Sequence, residues 1–423
     1  MADTTVCTYT RPTNRFNPEG TFWISEDKGS VIFPENQGIE IYSTLDGGQT
    51  WTRTHYDFFE SPNNVSFACY YDGDTPNDTG NLVHMVVSGY GANGGAGSMF
   101  YMTFNLDTYA LGTKRTVGSW TTALGDYNTI TITKSVSGVL HVVGADYSSN
   151  SYHYSSTDGI TWATKASFSL TDRQDWLKSY PSNSNDDDII VFKLDKITKV
   201  LSSHQYINST NSIVLGATVT ITGVNVTYKQ FNASIRHSDR HIITVLLTDL
   251  DDPSTDVWIH DWNVSSTPSY TQKTTVVENI AESASPIIVI NQQNDDLYVA
   301  YIKGGSLYSL TDVYFHTSED GGTTWSSATK YNSLQDDIRE IGGSNINNCG
   351  GRIQFVFFNS DLADTLVNLD NDIAIEENTG TNSFINIGDD FKEISEMQIN
   401  IGDSWKPVVK GEINIGDSWK QIF

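Results

Sequence analysis

Residues 42–51 read Tyr-Ser-Thr-Leu-Asp-Gly-Gly-Gln-Thr-Trp, and close variants of this stretch occur at residues 154–162 and 316–325. Each copy follows a run of alternating residues that is typical of a β-strand. In each copy the Asp side chain can accept hydrogen bonds from N–H groups of the turn that follows, and a Gly can adopt the positive φ that such a turn needs. The Thr hydroxyl can bond back across the turn, and the Trp begins the next strand. Each stretch therefore predicts a β-hairpin.

The shared pattern, Ser/Thr-x-Asp-x-Gly-x-Thr-Trp, resembles the Asp-box (BNR-type repeat) of sialidase-like β-propellers. Two copies match fully, and the copy at residues 154–162 is one residue shorter between its Asp and its Thr. In those families the box joins the two outer strands of a blade, away from the central channel. The resemblance implies structural rather than catalytic roles for the box residues, which are Asp46, Gly48, Thr50, Trp51, Asp158, Gly159, Thr161, Trp162, Asp320, Gly322, Thr324 and Trp325.

The spacing of the boxes predicts the length and number of the blades. The interval from Asp46 to Asp158 divides into two units, and the interval from Asp158 to Asp320 divides into three units of almost the same length. That length suits a four-stranded blade of roughly 40 to 50 residues with added loops. Together with the intervening strand patterns, this predicts an all-β propeller of seven four-stranded antiparallel blades, with six as the alternative. We assign residues 17–372 to this propeller, after an N-terminal arm at 1–16. A strand from the arm could complete the short last blade and close the ring.

A second repeat occupies residues 385–423, after a linker at residues 373–384. Each unit reads Ile-Asn-Ile-Gly-Asp-x-aromatic-Lys, which predicts a strand, a Gly-Asp turn and a second strand. One hairpin is too small to be stable alone, so two interpretations remain: a meander docked on the propeller, or an attachment and oligomerisation segment. The characteristic residues are Ile385, Asp389, Phe391, Ile399, Asp403, Trp405, Ile413, Asp417 and Trp419.

These short repeats resemble those of structural and tail proteins of tailed bacteriophages. The resemblance implies a non-enzymatic structural or adsorption component of a virion, made in the cytoplasm of a bacterial host. The N-terminus fits this interpretation because it lacks the apolar segment of a signal peptide. The partners implied are other virion proteins, contacted through the repeats, and sister chains. A surface glycan is a further candidate ligand for the propeller.

Charge and composition exclude several other functions. The formal net charge of -26 disfavours binding to nucleic acid or to anionic membranes. The chain has no apolar run of about 20 residues that could cross a bilayer, and its three cysteines do not form a disulfide framework. Acidic runs at residues 186–188 and 249–252 lack the spacing of a calcium-binding loop. The sequence therefore predicts no metal and no cofactor.

The alternative function is that of a sialidase-like glycoside hydrolase, or of a secreted carbohydrate-binding propeller. Sialidases hold a substrate carboxylate with three arginines, and their first arginine lies in an Arg-Ile-Pro element. That element is broken here, because Arg11 is followed directly by Pro12. No Tyr-Glu pair stands out, so we predict no catalytic residue. The arginines that could contribute to such a site are Arg11, Arg15, Arg236, Arg240, Arg339 and Arg352.

Overall fold

A computed structural model describes the chain in separate ranges. It covers all residues except 1–3, 10–18, 26, 36–37, 59–65, 92–94, 124–128, 146–149, 169, 171–175, 184, 196–197, 221–230, 248–254, 265–266, 281–282, 305–310, 333–337, 344–351, 354, 361–364, 370–372, 375–382, 388–389, 395–397, 401–404, 408–411, 415–418 and 422–423.

Within these ranges the chain forms β-strands and a single 3₁₀ turn at Asp72–Asp74. None of the helical structure described is long and apolar enough to cross a membrane. The strands are β1 (Thr4–Tyr9), β2 (Glu19–Trp23), β3 (Gly29–Glu35), β4 (Gly38–Thr44), β5 (Thr52–Phe58), β6 (Ser66–Tyr71), β7 (Leu82–Gly91), β8 (Gly95–Asn105), β9 (Arg115–Ala123), β10 (Thr129–Lys134), β11 (Leu140–Ala145), β12 (Ser151–Ser156), β13 (Ala163–Thr164), β14 (Trp176–Pro181), β15 (Ile189–Asp195), β16 (Val200–Ile207), β17 (Ser212–Thr220), β18 (Phe231–Ile235), β19 (Ile242–Leu247), β20 (Thr255–Asn263), β21 (Ser269–Ile280), β22 (Ser283–Ile290), β23 (Leu297–Gly304), β24 (Thr311–Ser318), β25 (Thr329–Lys330), β26 (Ile338–Gly343), β27 (Arg352–Ile353), β28 (Phe355–Ser360), β29 (Thr365–Leu369), β30 (Ile373–Ala374), β31 (Ser383–Ile387), β32 (Asp390–Ile394), β33 (Gln398–Asn400), β34 (Trp405–Pro407), β35 (Glu412–Asn414) and β36 (Trp419–Gln421).

The strands form four-stranded antiparallel sheets, which confirms the all-β propeller prediction. Six blades each use four consecutive strands: β2–β5, β6–β9, β10–β13, β14–β17, β18–β21 and β22–β25, numbered here blades 1 to 6. A further sheet, blade 7, has the order β26, β28, β29 and β1. Its outermost strand comes from the N-terminus, where Thr4 pairs with Leu369 and Tyr9 pairs with Thr365. An N-terminal strand thus completes the last blade, as the sequence suggested.

The first strand of each blade contacts the first strand of the next blade. These contacts join β2 to β6, β6 to β10, β10 to β14, β14 to β18, β18 to β22 and β22 to β26, and β26 contacts β2. The seven strands therefore form a closed ring, with the remaining strands of each blade outside it. This radial arrangement of sheets leaves only short outer edges exposed.

The apolar core lies between neighbouring blades, which explains the composition of the strands. Strands in the middle of a blade, such as Leu140–Ala145, Ile189–Asp195 and Ile242–Leu247, are buried at every position because both faces of the sheet are covered. The outer strand Ser212–Thr220, by contrast, is largely exposed or half-buried. Because the inner strands need apolar residues on both faces, they read as continuous runs such as Ile-Ile-Thr-Val-Leu-Leu in β19.

The C-terminal repeats belong to a second compact unit, Ala374–Phe423, which is distinct from the unit Met1–Ile373. In the described residues each repeat forms its own two-stranded antiparallel sheet: β31 with β32, β33 with β34, and β35 with β36. The three hairpins share one register, since the equivalent pairs are Ile385 with Lys392, Ile399 with Lys406, and Ile413 with Lys420. The turn residues Asp389, Asp403 and Asp417 lie outside the described residues.

Deleting residues 1–9 should destabilise the propeller because it removes the outer strand of blade 7. Val6 is 4% exposed and packs in the seam between blades 7 and 1. Burial of such a side chain contributes about 1.5–3 kcal/mol, and lost ladder hydrogen bonds add about 1 kcal/mol each. We expect the free energy of unfolding in urea to fall by at least about 3 kcal/mol. Deleting only residues 1–3 is the control, and equal stability of the two variants would contradict the role of β1.

Candidate functional site

The Asp-box turns lie on one face of the propeller together with the turns between the first and second strands of the blades. The chain runs up and down through each sheet, so its first and third turns are at the same end. In blade 1 these turns touch, because the Gly47 N–H donates to the Asp27 carbonyl at 3.0 Å. We call this end the box face. Of the connections between strands, residues 59–65, 221–230 and 305–310 lie outside the described residues.

The first box is a turn closed by the side chains of Asp46, Thr44 and Thr50. Asp46 Oδ1 accepts from the Thr50 N–H at 2.9 Å, and Asp46 Oδ2 accepts from the Thr50 hydroxyl at 2.5 Å. The Thr44 hydroxyl donates to Asp46 Oδ1 at 2.7 Å and accepts from the Gly48 N–H at 3.0 Å. Gly48 has a φ of +86°, a conformation that L side chains rarely adopt.

The third box repeats these contacts closely. Asp320 Oδ1 accepts from the Thr324 N–H at 2.8 Å, and Asp320 Oδ2 accepts from the Thr324 hydroxyl at 2.7 Å. The Ser318 hydroxyl accepts from the Gly322 N–H at 2.8 Å and donates to Asp320 at 2.9 Å. Gly322 has a φ of +88°.

The second box is shorter but closes in the same way. Asp158 Oδ1 accepts from the N–H groups of Ile160 and Thr161 at 2.8 and 2.7 Å. The Ser156 hydroxyl accepts from the Gly159 N–H at 2.9 Å. The hydroxyl residue two places before each Asp was missing from the predicted set of site residues, although the first position of the repeated pattern contained it. These residues are Thr44, Ser156 and Ser318.

The box tryptophans pack toward the preceding blade. Trp51 meets Trp23 edge-on, with ring centroids 6.1 Å apart, and joins the seam between blades 7 and 1. Trp162 meets Tyr101 of blade 2 with ring centroids 5.3 Å apart. Trp325 joins the seam between blades 5 and 6. The boxes therefore link a local turn to the packing between blades, since each ring covers apolar surface of a neighbour.

The carboxyl groups of the boxes are held in the ionised form by these hydrogen bonds. The backbone N–H of Thr161 is the main cause that lowers the pKa of Asp158 to about 2. The backbone N–H and the hydroxyl of Thr324 likewise lower the pKa of Asp320 to about 2. The hydroxyl and N–H of Thr50 lower the pKa of Asp46. Groups with such low pKa values are poor proton donors at neutral pH, which suits a structural role.

A buried polar cluster near the first turn of blade 2 links that blade to blade 3. Asp72, which is 2% exposed, accepts from His84 Nε2 at 2.7 Å and contacts the ammonium of Lys134 on blade 3. Lys134 also lies 2.6 Å from Asp78 Oδ2, and His84 Nδ1 is 2.7 Å from the Tyr101 hydroxyl. Burial raises the pKa of Asp72, but His84 and Lys134 outweigh it and lower the pKa to about 2. No sequence spacing indicated this cluster.

The two described arginines that were candidates for substrate binding are occupied by carboxylates. Arg236 makes a bidentate pair with Asp239, at 3.0 and 2.6 Å, and its Nη2 also lies 3.0 Å from Asp261. Arg240 lies 3.2 Å from Asp186 of blade 4. Both arginines lie in the turn between β18 and β19, on the box face. A guanidinium neutralised in this way is poorly placed to bind a substrate carboxylate.

The side chains of the other candidate arginines lie outside the described structure. Arg11 and Arg15 lie outside the described residues. Arg339 and Arg352 belong to β26 and β27, but only their backbone is described. The structure therefore brings Arg236 and Arg240 into one turn and shows no meeting of three described guanidinium groups.

The described residues contain no group of three or more His, Cys, Asp or Glu side chains that could hold a metal ion. Of the acidic runs, residues 249–252 lie outside the description. In the other run, Asp186 pairs with Arg240, and Asp188 accepts from the Asn208 N–H at 2.9 Å. These carboxylates hold turns together.

Comparisons with known proteins give similarities to solved structures alone. No protein-family model and no curated protein matches the chain. The intramolecular trans-sialidase of Ruminococcus gnavus, solved with oseltamivir carboxylate, is similar over 88% of this chain and 98% of its own, with 11% identity and a TM-score of 0.46. The α-L-arabinanase of Penicillium chrysogenum, solved with arabinobiose, covers 87% and 97%, with 11% identity and a TM-score of 0.44.

A third similar structure is the Aleuria aurantia lectin in complex with α-methyl-L-fucoside, over 76% of this chain and 97% of the lectin, with 12% identity and a TM-score of 0.44. These propeller neighbours are glycan-binding proteins or glycosidases. Similarity at this level of identity and TM-score carries no information about the activity of this chain.

Replacing Ser318 by Ala should destabilise the third box. The change removes the acceptor of the buried Gly322 N–H and a donor to Asp320. An unsatisfied buried N–H costs about 1–3 kcal/mol, so we expect the free energy of unfolding in urea to fall by that amount. Ser327→Ala, at an exposed position just after the box, is the matched control. A Ser318 variant as stable as this control would show that the bonds of the Ser318 hydroxyl add nothing to stability.

The low pKa of Asp320 also predicts a loss of stability in acid. A carboxyl group whose pKa is lower in the folded state stabilises the fold above its unfolded pKa of 3.8, and this contribution disappears as the pH falls to about 2. We expect Asp320→Asn to flatten the dependence of unfolding free energy on pH between about 4 and 2. Glu319→Gln removes the neighbouring charge and leaves the box bonds intact, so it should keep the wild-type slope.

Proposed function

We propose that the protein is a non-enzymatic structural or adsorption component of a tailed-phage virion, attached to the particle by its C-terminal repeats. One observation carries this proposal: in its described residues the second compact unit, Ala374–Phe423, forms three hairpins that share one register. Three equivalent hairpins on one chain favour repeated contacts with a partner over a single folded core.

The size of the hairpins supports an attachment role. A two-stranded sheet buries too little apolar surface to be stable in water, and at least three strands or a packed partner are needed. In the described residues each tail sheet has only two strands. Each repeat also brings the same aromatic position opposite an Asn, at Phe391, Trp405 and Trp419. Three linked weak contacts would give a strong attachment through their high effective concentration.

The ion pairs of the propeller support a non-enzymatic role. A sialidase-type site requires three guanidinium groups that are free to converge on a substrate carboxylate. Here Arg236 and Arg240 are held by carboxylates on the box face. The carboxylates of the box aspartates are also engaged, because they accept the hydrogen bonds that close their turns. We therefore propose structural roles for all three boxes.

The proposed partners are other virion proteins and sister chains, bound through the repeats. The resemblance of the Ile-Gly-Asp-x-Trp-Lys units to phage structural proteins supports this choice, and it supports a virion location after synthesis in the host cytoplasm. The propeller would then project from the particle and recognise a surface glycan. A glycan panel probed with residues 1–373 tests this last part, which fails if no glycan binds above background.

Light scattering on the full chain and on residues 1–373 tests the attachment role. We expect the full chain to form a defined oligomer or to bind phage particles, and residues 1–373 to be a stable monomer. The triple variant Phe391→Ser, Trp405→Ser, Trp419→Ser should behave like the truncated chain because it removes the repeated aromatic position. Met397→Ser, between two repeats, is the control and should assemble normally.

A full chain that is monomeric, binds no particle and is no more stable than residues 1–373 would contradict the attachment role. The tail would then be a folded appendage of the propeller alone.

A further inference from the structure

Two buried histidines face each other in the middle of blade 3. His141 on β11 and His153 on β12 are 0% and 1% exposed, and their Nδ1 and Nε2 atoms are 3.1 Å apart. The other nitrogen of His153, Nδ1, lies 2.9 Å from the carbonyl oxygen of Ala166. The three groups form one hydrogen-bonded chain.

The donor and acceptor chemistry of this hydrogen-bonded series fixes the positions of its protons. A carbonyl oxygen only accepts, so His153 Nδ1 carries a hydrogen and donates to Ala166. In the neutral ring His153 Nε2 is then an acceptor, and His141 Nδ1 must donate to it. The remaining nitrogen, His141 Nε2, is left as a bare acceptor, and this buried atom has no hydrogen-bond partner in the described structure. These hydrogen bonds are all made in this arrangement only when both rings are neutral.

Adding a proton to either ring breaks this arrangement. A hydrogen on His153 Nε2 would point at the N–H of His141. A hydrogen on His141 Nε2 would be a buried cationic donor without an acceptor. Burial of such an unpaired charge is costly, so the folded seam must open or rearrange to receive the proton.

The pair lies against blade 4, in a cluster that we call the 3–4 seam. The Tyr206 ring of blade 4 meets His153 and His141 edge-on, with ring centroids 4.5 and 5.6 Å away. Phe168 contacts His153 on one side and His204 of blade 4 on the other, at 5.3 and 6.2 Å. Three imidazoles thus share one seam between two blades.

The ionisable groups around the seam do not offset added positive charge on the histidines. Lys165 acts on both His141 and His153, and Lys193 acts on His204, so both lysines oppose protonation. The Tyr206 hydroxyl donates toward Asn211 at 3.1 Å, and the charge of Asp188 acts on that hydroxyl. His84 in blade 2 differs, because its ring is paired with Asp72.

We propose that the 3–4 seam is an acid-operated latch, which holds blades 3 and 4 together at neutral pH and releases them when the histidine pair is protonated. The latch is a property of the propeller and does not depend on the attachment role of the tail.

The direction of the pH dependence follows from burial. Burial lowers the pKa of His141 well below its usual value, and it lowers the pKa values of His153 and His204 to about 4. A histidine with a lowered folded pKa stabilises the closed form fully above its exposed pKa of 6.5. That contribution is lost as the pH falls from 6.5 to about 4, because the open form binds more protons.

Hydrogen exchange of the full-length protein, corrected for the intrinsic pH dependence, tests the latch. One histidine with a pKa of about 4 when closed and 6.5 when open makes opening about 30-fold more favourable at pH 5 than at pH 8. We expect the corrected exchange rate of peptides from β11, β12 and β16 to rise by at least this factor from pH 8 to pH 5. Peptides from β3 and β7, in blades 1 and 2, should show a smaller rise in exchange over the same pH interval.

The variant His141→Asn tests the pair itself. Its amide can donate to His153 Nε2, as His141 does, and can rotate to accept when that nitrogen is protonated. We expect the rise at the seam to be at least about tenfold smaller than in the wild type, and any remaining rise is the contribution of His204, whose pKa burial also lowers to about 4. His260→Asn is the matched control, because His260 is 1% exposed with a pKa lowered to about 4 but lies in blade 5, where its described ring contacts are with Trp258, Trp262 and Tyr270. It should leave the rise at the seam unchanged.

Two results would overturn the latch. One is a wild-type seam whose exchange rises no more between pH 8 and pH 5 than that of β3 and β7. The other is a His141→Asn variant with the wild-type rise. If this variant does not fold, the wild-type comparison between the seam and the other strands decides alone.

Discussion

Every blade of this propeller has two apolar faces, and both must be covered. The middle strands show most directly that both faces are covered, since β11, β15 and β19 are buried at all of their positions. An open arc of blades would leave one bare face at each end. Only a closed ring covers all faces, and here Thr4–Tyr9 supplies the outer strand of blade 7, the last blade of the ring. The packing of the box tryptophans and the apolar contacts between blades all depend on that ring.

Apolar seams bring blades together but do not fix the angle between them, because hydrophobic contact is not directional. On the box face, hydrogen bonds and ion pairs between first turns supply that direction. They connect blades 2 and 3, 3 and 4, 4 and 5, and 5 and 6. The links are Lys134 with Asp72, Ser137 N–H with the Asp186 carbonyl, Arg240 with Asp186, and Ser238 with Asp295. The charged groups of this face thus align the sheets.

Local features of the structure could be predicted from the sequence, and distant contacts could not. A box closes within a single turn, so its Asp, Gly and Thr reveal the turn and its spacing reveals the blades. The tail hairpins were predictable for the same reason. Lys134 and Asp72 are far apart in the chain, and their contact depends on which blades are neighbours and how each strand is registered. The pairing of His141 with His153 needs the register of β11 against β12, which no pattern of residue types displayed.

The position of β1 has a consequence for biosynthesis. Thr4–Tyr9 leaves the ribosome before the rest of the propeller, yet its partner, Thr365–Leu369, lies in the last blade to be made. Blades 1 to 6 each consist of consecutive strands and can form while translation proceeds. The first strand must wait without its partner until almost the whole ring has been made. Its docking is the most non-local pairing in the propeller, so it is the natural slow and final event of folding.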